Sequence, residues 1–197
     1  MMSKAVMLSI RPKWVEKIAN GEKTIEVRKT RPKLDTPFKC YIYCSGGGDK
    51  LWVRGAVWRK RWINGPIAFL SNAKDCSGMN LGNGRVIGKF TCGRITNLFA
   101  NSRFWLNEND ALHTCLSSDE IQNYANGVNE IYGWHITDLL IYDHPRELSE
   151  FRRACPHSWY CESCAMHREN DVTCGNESLQ IKRAPQSWCY VEAMKDD

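Results

Sequence analysis

No run of about 18 consecutive apolar residues occurs in this sequence, so no segment reads as a membrane-crossing helix. Met1 to Ile10 has neither a long apolar core nor a small-residue cleavage site. That reads against export by a signal peptide and for a cytoplasmic, reducing setting. There is no internal repeat and no low-complexity tract, which sets aside solenoids and flexible linkers. Acid is scarce in the first third. Up to Lys33 there are nine Lys/Arg (4, 11, 13, 17, 23, 28, 29, 31, 33) against three Glu (16, 22, 26). From Lys50 to Lys74 there are six Lys/Arg and no acid at all. Against a net charge of only +5, this uneven distribution suits a phosphate-bearing partner, although solvated surface charge would give the same count.

What is present in excess is cysteine, ten residues in 197. Without an export signal the thiols are expected to stay reduced. The scattered ones, Cys40, Cys44, Cys76, Cys92, Cys115 and Cys189, read as small buried hydrophobes. Cys155, Cys161, Cys164 and Cys174 are clustered, and the Cys-x-x-Cys pair lets two thiolates reach one ion from a tight turn. A polar segment of this kind gains folding energy from a structural zinc ion. The expected ligands are these four cysteines, with His157 or His167 as alternatives to Cys155.

Periodicity gives the elements. Val6, Leu8 and Ile10 alternate as on a strand. Pro12 stands where a helix begins and Gly21 where it ends, with Trp14, Val15, Ile18 and Ala19 as its apolar stripe. Period two returns from Thr24 to Arg28, with Ile25 and Val27 on one side and Thr24, Glu26 and Arg28 on the other. Phe38–Cys44 is a further strand. Gly46-Gly47-Gly48 opens a long irregular stretch running to Gly84. Its Trp52, Trp58 and Trp62, set among Arg54, Arg59, Lys60 and Arg61, read first as anchors for an insertion and second as base-stacking groups. Arg85 to Ile95 is β-rich, and Gly88 and Gly93 suggest bends or bulges. Ser117 or Ser118 caps a helix to about Asn126, with Asp119 and Glu120 in its first turn. Gly133 to Tyr142 reads as a strand stopped by His144-Pro145, and Ser187 to Ala193 as the last strand. The expected sum is α+β, about six short strands curved into a small sheet or barrel with two helices beside it. It is expected to form one domain over residues 1–197, with a Trp-rich insertion at about 46–84 and a Cys-rich, zinc-stapled one at about 152–176.

The sharpest local feature is Gly21-Glu22-Lys23-Thr24-Ile25-Glu26-Val27-Arg28. If its polar face lined a cleft, Lys23 and Arg28 would attract an anion. Glu26 would accept from a base amino group or move a proton. On an exposed face the same residues would make only weak surface salt bridges.

Met7-Leu8-Ser9-Ile10-Arg11-Pro12 followed by Gly21-x-Lys23-Thr24-x-Glu26-x-Arg28 resembles the ASCH signature, GxKxxExR after a strand and a helix. The element order, and Pro185-Gln186-Ser187-Trp188-Cys189-Tyr190-Val191-Glu192 near the end, resemble small phage and prophage ASCH proteins. The match covers about residues 5 to 31 and 182 to 193. The resemblance implies a PUA-like fold, a small β-barrel with flanking helices. It also implies a cleft beneath the signature strand that takes RNA or a modified nucleotide, with Arg11, Lys23, Thr24, Glu26 and Arg28 as ligand-binding residues. One ASCH branch hydrolyses N4-acetylcytidine through a GxKTxTxR motif and a downstream Glu. This chain keeps Lys23 but has Glu26 at the position of that branch's catalytic Thr. Glu120 is the nearest downstream Glu by element order. As a hydrolase of modified nucleosides or a ribonuclease, it would rely on Lys23 and Glu26 as catalytic residues. A third reading is a zinc-stapled protein-interaction module.

Overall fold

In the computed structural model, the described residues are 4–47, 50–54, 67–69, 79–100, 103–104, 108–155 and 176–194. They hold ten strands and three α-helices. The first third folds as its periodicity dictates. Strand β1 (Lys4–Ile10) leads into helix α1 (Pro12–Ala19), and strand β2 (Ile25–Arg28) follows. Pro12 occupies the first helical turn, where its missing N–H costs nothing. Gly21 supplies a φ of +78° just beyond the helix end.

Strand β3 (Phe38–Cys44) lies parallel to β1. Three short strands, β4 (Leu51–Arg54), β5 (Ile67–Phe69) and β6 (Met79–Leu81), then form a separate small sheet in the order β5-β4-β6. This corrects the expectation of an irregular stretch to Gly84. The strands are too short, and their neighbours too polar, for alternation to register. Strand β7 (Val86–Ala100) and β8 (Arg103–Phe104) come next, then helix α2 (Glu108–Thr114), which the sequence reading did not include. Helix α3 (Ser118–Ala125) starts as its sequence requires. The Ser117 side chain accepts from the Glu120 backbone N–H and the Glu120 carboxylate accepts from Ser117 N–H, a reciprocal cap. Strand β9 (Ile131–Arg146) runs straight through His144-Pro145, which was expected to stop it, and β10 (Trp188–Glu192) completes the set.

The main sheet runs β10-β1-β3-β7-β9-β2, with β8 paired to β7 off this path. Its ladder is open: β10 and β2 are the two ends, so among the described residues the expected barrel is not closed by backbone pairing. Side chains span the gap instead. Arg28 Nη2 donates to Ser9 O at 2.8 Å, Trp188 Nε1 to Thr30 Oγ1 at 2.9 Å, and Lys33 N–H to the Tyr190 hydroxyl at 2.7 Å. The long pair β7 and β9 bends by four shifts of register, one of them between Val86 and Gly88. A Cβ on Gly88 would sit 2.4 Å from the Leu140 carbonyl oxygen, so only glycine lets the two backbones approach this closely.

Both faces of the sheet are covered. Val6, Leu8 and Ile10 join Val15 and Ile18 of α1 with Phe38, Phe90 and Trp134 in the largest cluster. Ala5 and Met7, pointing the other way, pack with Tyr41, Phe151 and Val191. Val27 packs with Leu98, Ile121, Ala125 and Ile131 beneath α3. Cys40, Cys44 and Cys92 are buried as small hydrophobes, and burial pushes the Cys44 and Cys92 thiols up to about 12. Of the expected zinc ligands only Cys155 is described, and it is half-buried. Cys161, Cys164, Cys174, His157 and His167 lie outside the described residues, as do Trp58 and Trp62.

Candidate functional site

Among the described residues, strand β2 pairs on one side only, antiparallel to β9, with Glu26 opposite Trp134 and Arg28 opposite Tyr132. Residues directly opposite share a face, so Glu26, Arg28 and Trp134 look the same way, into the curve of the sheet. Val27 looks the other way, toward α3. The alternation read from the sequence is therefore real, but its polar side is enclosed rather than exposed: Lys23 is 2% and Glu26 5% exposed.

Enclosure forces these charges to find partners. Lys23 Nζ donates to Ile25 O at 2.8 Å and to Thr114 O at 2.6 Å, and stands 3.5 Å from Glu26 Oε2. Glu26 Oε1 meets Arg28 Nη2 at 3.0 Å. One carboxylate thus bridges two cations, and the chain Lys23–Glu26–Arg28 keeps one net positive charge. An ammonium has three donors, and all three are engaged here. Burial pulls the Lys23 ammonium below the ordinary lysine range, opposed chiefly by the Glu26 carboxylate. The Trp14 ring adds its face, with Lys23 Nζ 5.4 Å and Lys13 Nζ 4.6 Å from its centre.

The other expected residues stand apart from this chain. Arg11 is exposed at the start of α1, where its carbonyl accepts from the Trp14 and Val15 N–H groups. Thr24 is half-buried; its backbone N–H donates to His113 O and its carbonyl accepts from Ile136 N–H, which ties α2 to the sheet. Glu120 spends its carboxylate on the cap of α3, and the Ser117 backbone N–H holds it below the ordinary carboxylate range. That gives it a structural task at the start of α3. Sequence reading missed Ser9 and Thr114, because they act through backbone carbonyls that any residue would supply. It also missed Trp134, which is fully buried, with Phe38 edge-on at 5.8 Å and Trp188 tilted at 6.0 Å between ring centres. Two enclosed N–H groups on this inner face, Arg28 Nε and Trp134 Nε1, have no acceptor among the described residues.

No protein-family model matches the sequence, and no curated protein matches it. Among solved structures, ASCH from Zymomonas mobilis is similar in fold, with a TM-score of 0.50 and 14% sequence identity. The match covers 94% of this chain and 86% of that one. The fold is of the ASCH type. A single-substitution variant of the same Zymomonas mobilis protein also matches, with a TM-score of 0.48 and 16% identity, covering 87% of this chain and 100% of that one.

On the opposite face of β9 in this ASCH-type fold, next to Trp134 in sequence, lies a histidine. His135, opposite Ile25 on β9, shares a 3.0 Å hydrogen bond with Thr96 Oγ1. Burial lowers its proton affinity from the ordinary 6.5, and Arg94 and His113 lower it further against an opposing pull from Asp110. As pH falls below about 6.5 the unfolded chain takes up a proton that the folded site resists. Stability falls until the folded group itself titrates; above that range its contribution is constant. Thermal unfolding followed from about pH 7 to 5 is expected to show a shallower decline in His135→Gln than in the unmodified protein. Parallel curves would sink the assignment.

Proposed function

We propose that this chain binds RNA or a nucleotide on the inner face of the β2–β9 pair. The observation that carries the reading is the pair of enclosed donors beside Glu26, Arg28 Nε and Trp134 Nε1, which have no acceptor among the described residues. Burying such a donor unpaired costs about 1–3 kcal/mol, which a base carbonyl or phosphate oxygen would recover. The net positive charge of the Lys23–Glu26–Arg28 chain and the basic first third add attraction for a polyanion. Binding is favoured over hydrolysis because Lys23 has no donor left to share and Glu26 is held by two cations. Catalysis by either residue would first require that arrangement to break. The reading takes residues 1–197 as one PUA-like unit whose barrel is completed by side-chain contacts.

The test is fluorescence anisotropy with a labelled oligoribonucleotide across a range of salt. Affinity is expected to fall steeply as salt rises. Arg28→Lys keeps the charge but removes the guanidinium fork and its Nε, and is expected to weaken binding about tenfold or more. A folded protein that binds neither an oligoribonucleotide nor a mononucleotide at low salt would overturn the reading.

A further inference from the structure

Three cation–aromatic pairs lie around the rim of the inner face, on elements that adjoin one another. On α1, Lys13 Nζ stands 4.6 Å from the centre of the Trp14 ring. Just after β2, Lys29 Nζ stands 5.4 Å from the ring of Tyr124 on α3. Two residues further on, the Arg31 guanidinium stands 5.6 Å from the ring of Tyr132 on β9. The order is continuous. Lys13 lies within electrostatic reach of Glu120, which is one helical turn before Tyr124 on the same face of α3. Tyr132 is opposite Arg28, the residue just before Lys29. Trp14 also carries Lys23, so the line of pairs begins where the enclosed chain of charges ends.

The chemistry of each pair is specific. Lys13 and Arg31 are exposed, Lys29 is half-buried, and Tyr124 is 38% exposed despite its size. A flexible cation resting on an aromatic face keeps that face attractive to a second π system while remaining free to swing away. When a base takes the ring, the displaced cation is placed to meet the adjoining phosphate. Acidic groups do occur along the line, but they are engaged locally. Glu120 accepts from Ser117 N–H, and Glu130 accepts from the Tyr132 hydroxyl and from Asn97 Nδ2.

We infer that Lys13/Trp14, Lys29/Tyr124 and Arg31/Tyr132 form a track for single-stranded nucleic acid, one unpaired base stacking at each ring and its phosphate meeting the cation. This deepens the reading of the inner face, on which it rests: one nucleotide enters the sheet and its neighbours run outward over α1, α3 and the β2–β3 connection. Duplex does not fit, because paired bases offer no free face to the rings.

The full chain is titrated with fluorescein-labelled oligouridylate, oligodeoxythymidylate, a hairpin duplex and, separately, uridine monophosphate. Tyr124→Ala is expected to weaken oligouridylate binding about tenfold, the scale of one lost base–aromatic stack, whereas Tyr124→Phe keeps the ring and the affinity. Replacing Lys29 and Arg31 together by Ala is expected to reduce the slope of log affinity against log salt by about 1.4, from two charges at about 0.7 each. Circular dichroism of each variant confirms that it is folded. Equal affinity for duplex, or folded Tyr124→Ala and Lys29/Arg31 variants that bind oligouridylate as well as the parent, would overturn the track. Tighter binding of oligouridylate than of oligodeoxythymidylate assigns the track to RNA, and the reverse assigns it to DNA. The two readings fail separately. If the parent binds the monophosphate but gains nothing from a longer strand, the track is wrong and the inner face stands. If strand binding depends on Tyr124 but not on Arg28, the track stands without the inner-face site.

Discussion

Glu26→Ala is expected to lower the free energy of unfolding by about 3–5 kcal/mol, a large share of what holds a domain of this size together. The substitution removes the one carboxylate between two cations, whose Lys23 side chain is 2% exposed and whose Arg28 side chain is 12% exposed. Lys23 would keep the carbonyls of Ile25 and Thr114, and Arg28 that of Ser9, but neither would keep a counter-charge. Breaking a buried pair costs more than the pair is worth, because the remaining charge stays out of water. Replacing Lys23 by Met and Glu26 by Leu together should therefore cost clearly less than the two single losses added. Urea unfolding of Glu26→Ala, Lys23→Met, Glu26→Leu and the double variant measures this. A loss under about 1 kcal/mol for Glu26→Ala would mean that the site behaves as an exposed surface pair.

Trp134→Ala carries the second large effect, about 3–5 kcal/mol by the same measurement. The ring is fully buried between Phe38 and Trp188, and it lies in the cluster that joins β1, β3, β7 and α1. Its removal leaves a cavity that β-sheet backbones cannot collapse to fill. Trp134→Phe should cost much less, since it keeps most of the packing and deletes the Nε1 donor that has no acceptor among the described residues. An alanine variant as stable as the phenylalanine variant would show that the ring packs loosely.

How far the sequence reveals this molecule depends on how local each determinant is. The β1–α1–β2 unit was readable because its signals sit within a few residues: alternation at Val6, Leu8 and Ile10, Pro12 at the helix start, and Gly21 at its end. The cap at Ser117 was readable for the same reason. The length of β7 and β9 was hidden, because each register shift interrupts the alternation that marks a strand and Pro145 imitates a stop. Of the site, Lys23, Glu26 and Arg28 were found through spacing. Their enclosure was not, because it depends on Ser9, Thr114 and Trp14 arriving from other elements, two of them through carbonyls that leave no trace in residue identity. The open ladder, spanned by Trp188–Thr30 and Tyr190–Lys33, joins residues far apart in the chain, and no local pattern records it.

The pairing of β1 with β10 sets the order of events during synthesis. Lys4 sits opposite Glu192 and Leu8 opposite Trp188, so one edge of β1 stays without its partner until residues 188–192 have left the ribosome. Until then β1, β3, β7 and β9 can assemble, but Ala5 and Met7 have no Val191 to cover them, and an unpaired apolar edge invites pairing with a neighbouring nascent chain. Strand β10 therefore acts as a latch, and a polypeptide released before Trp188 would emerge with its sheet assembled on one side and adhesive on the other.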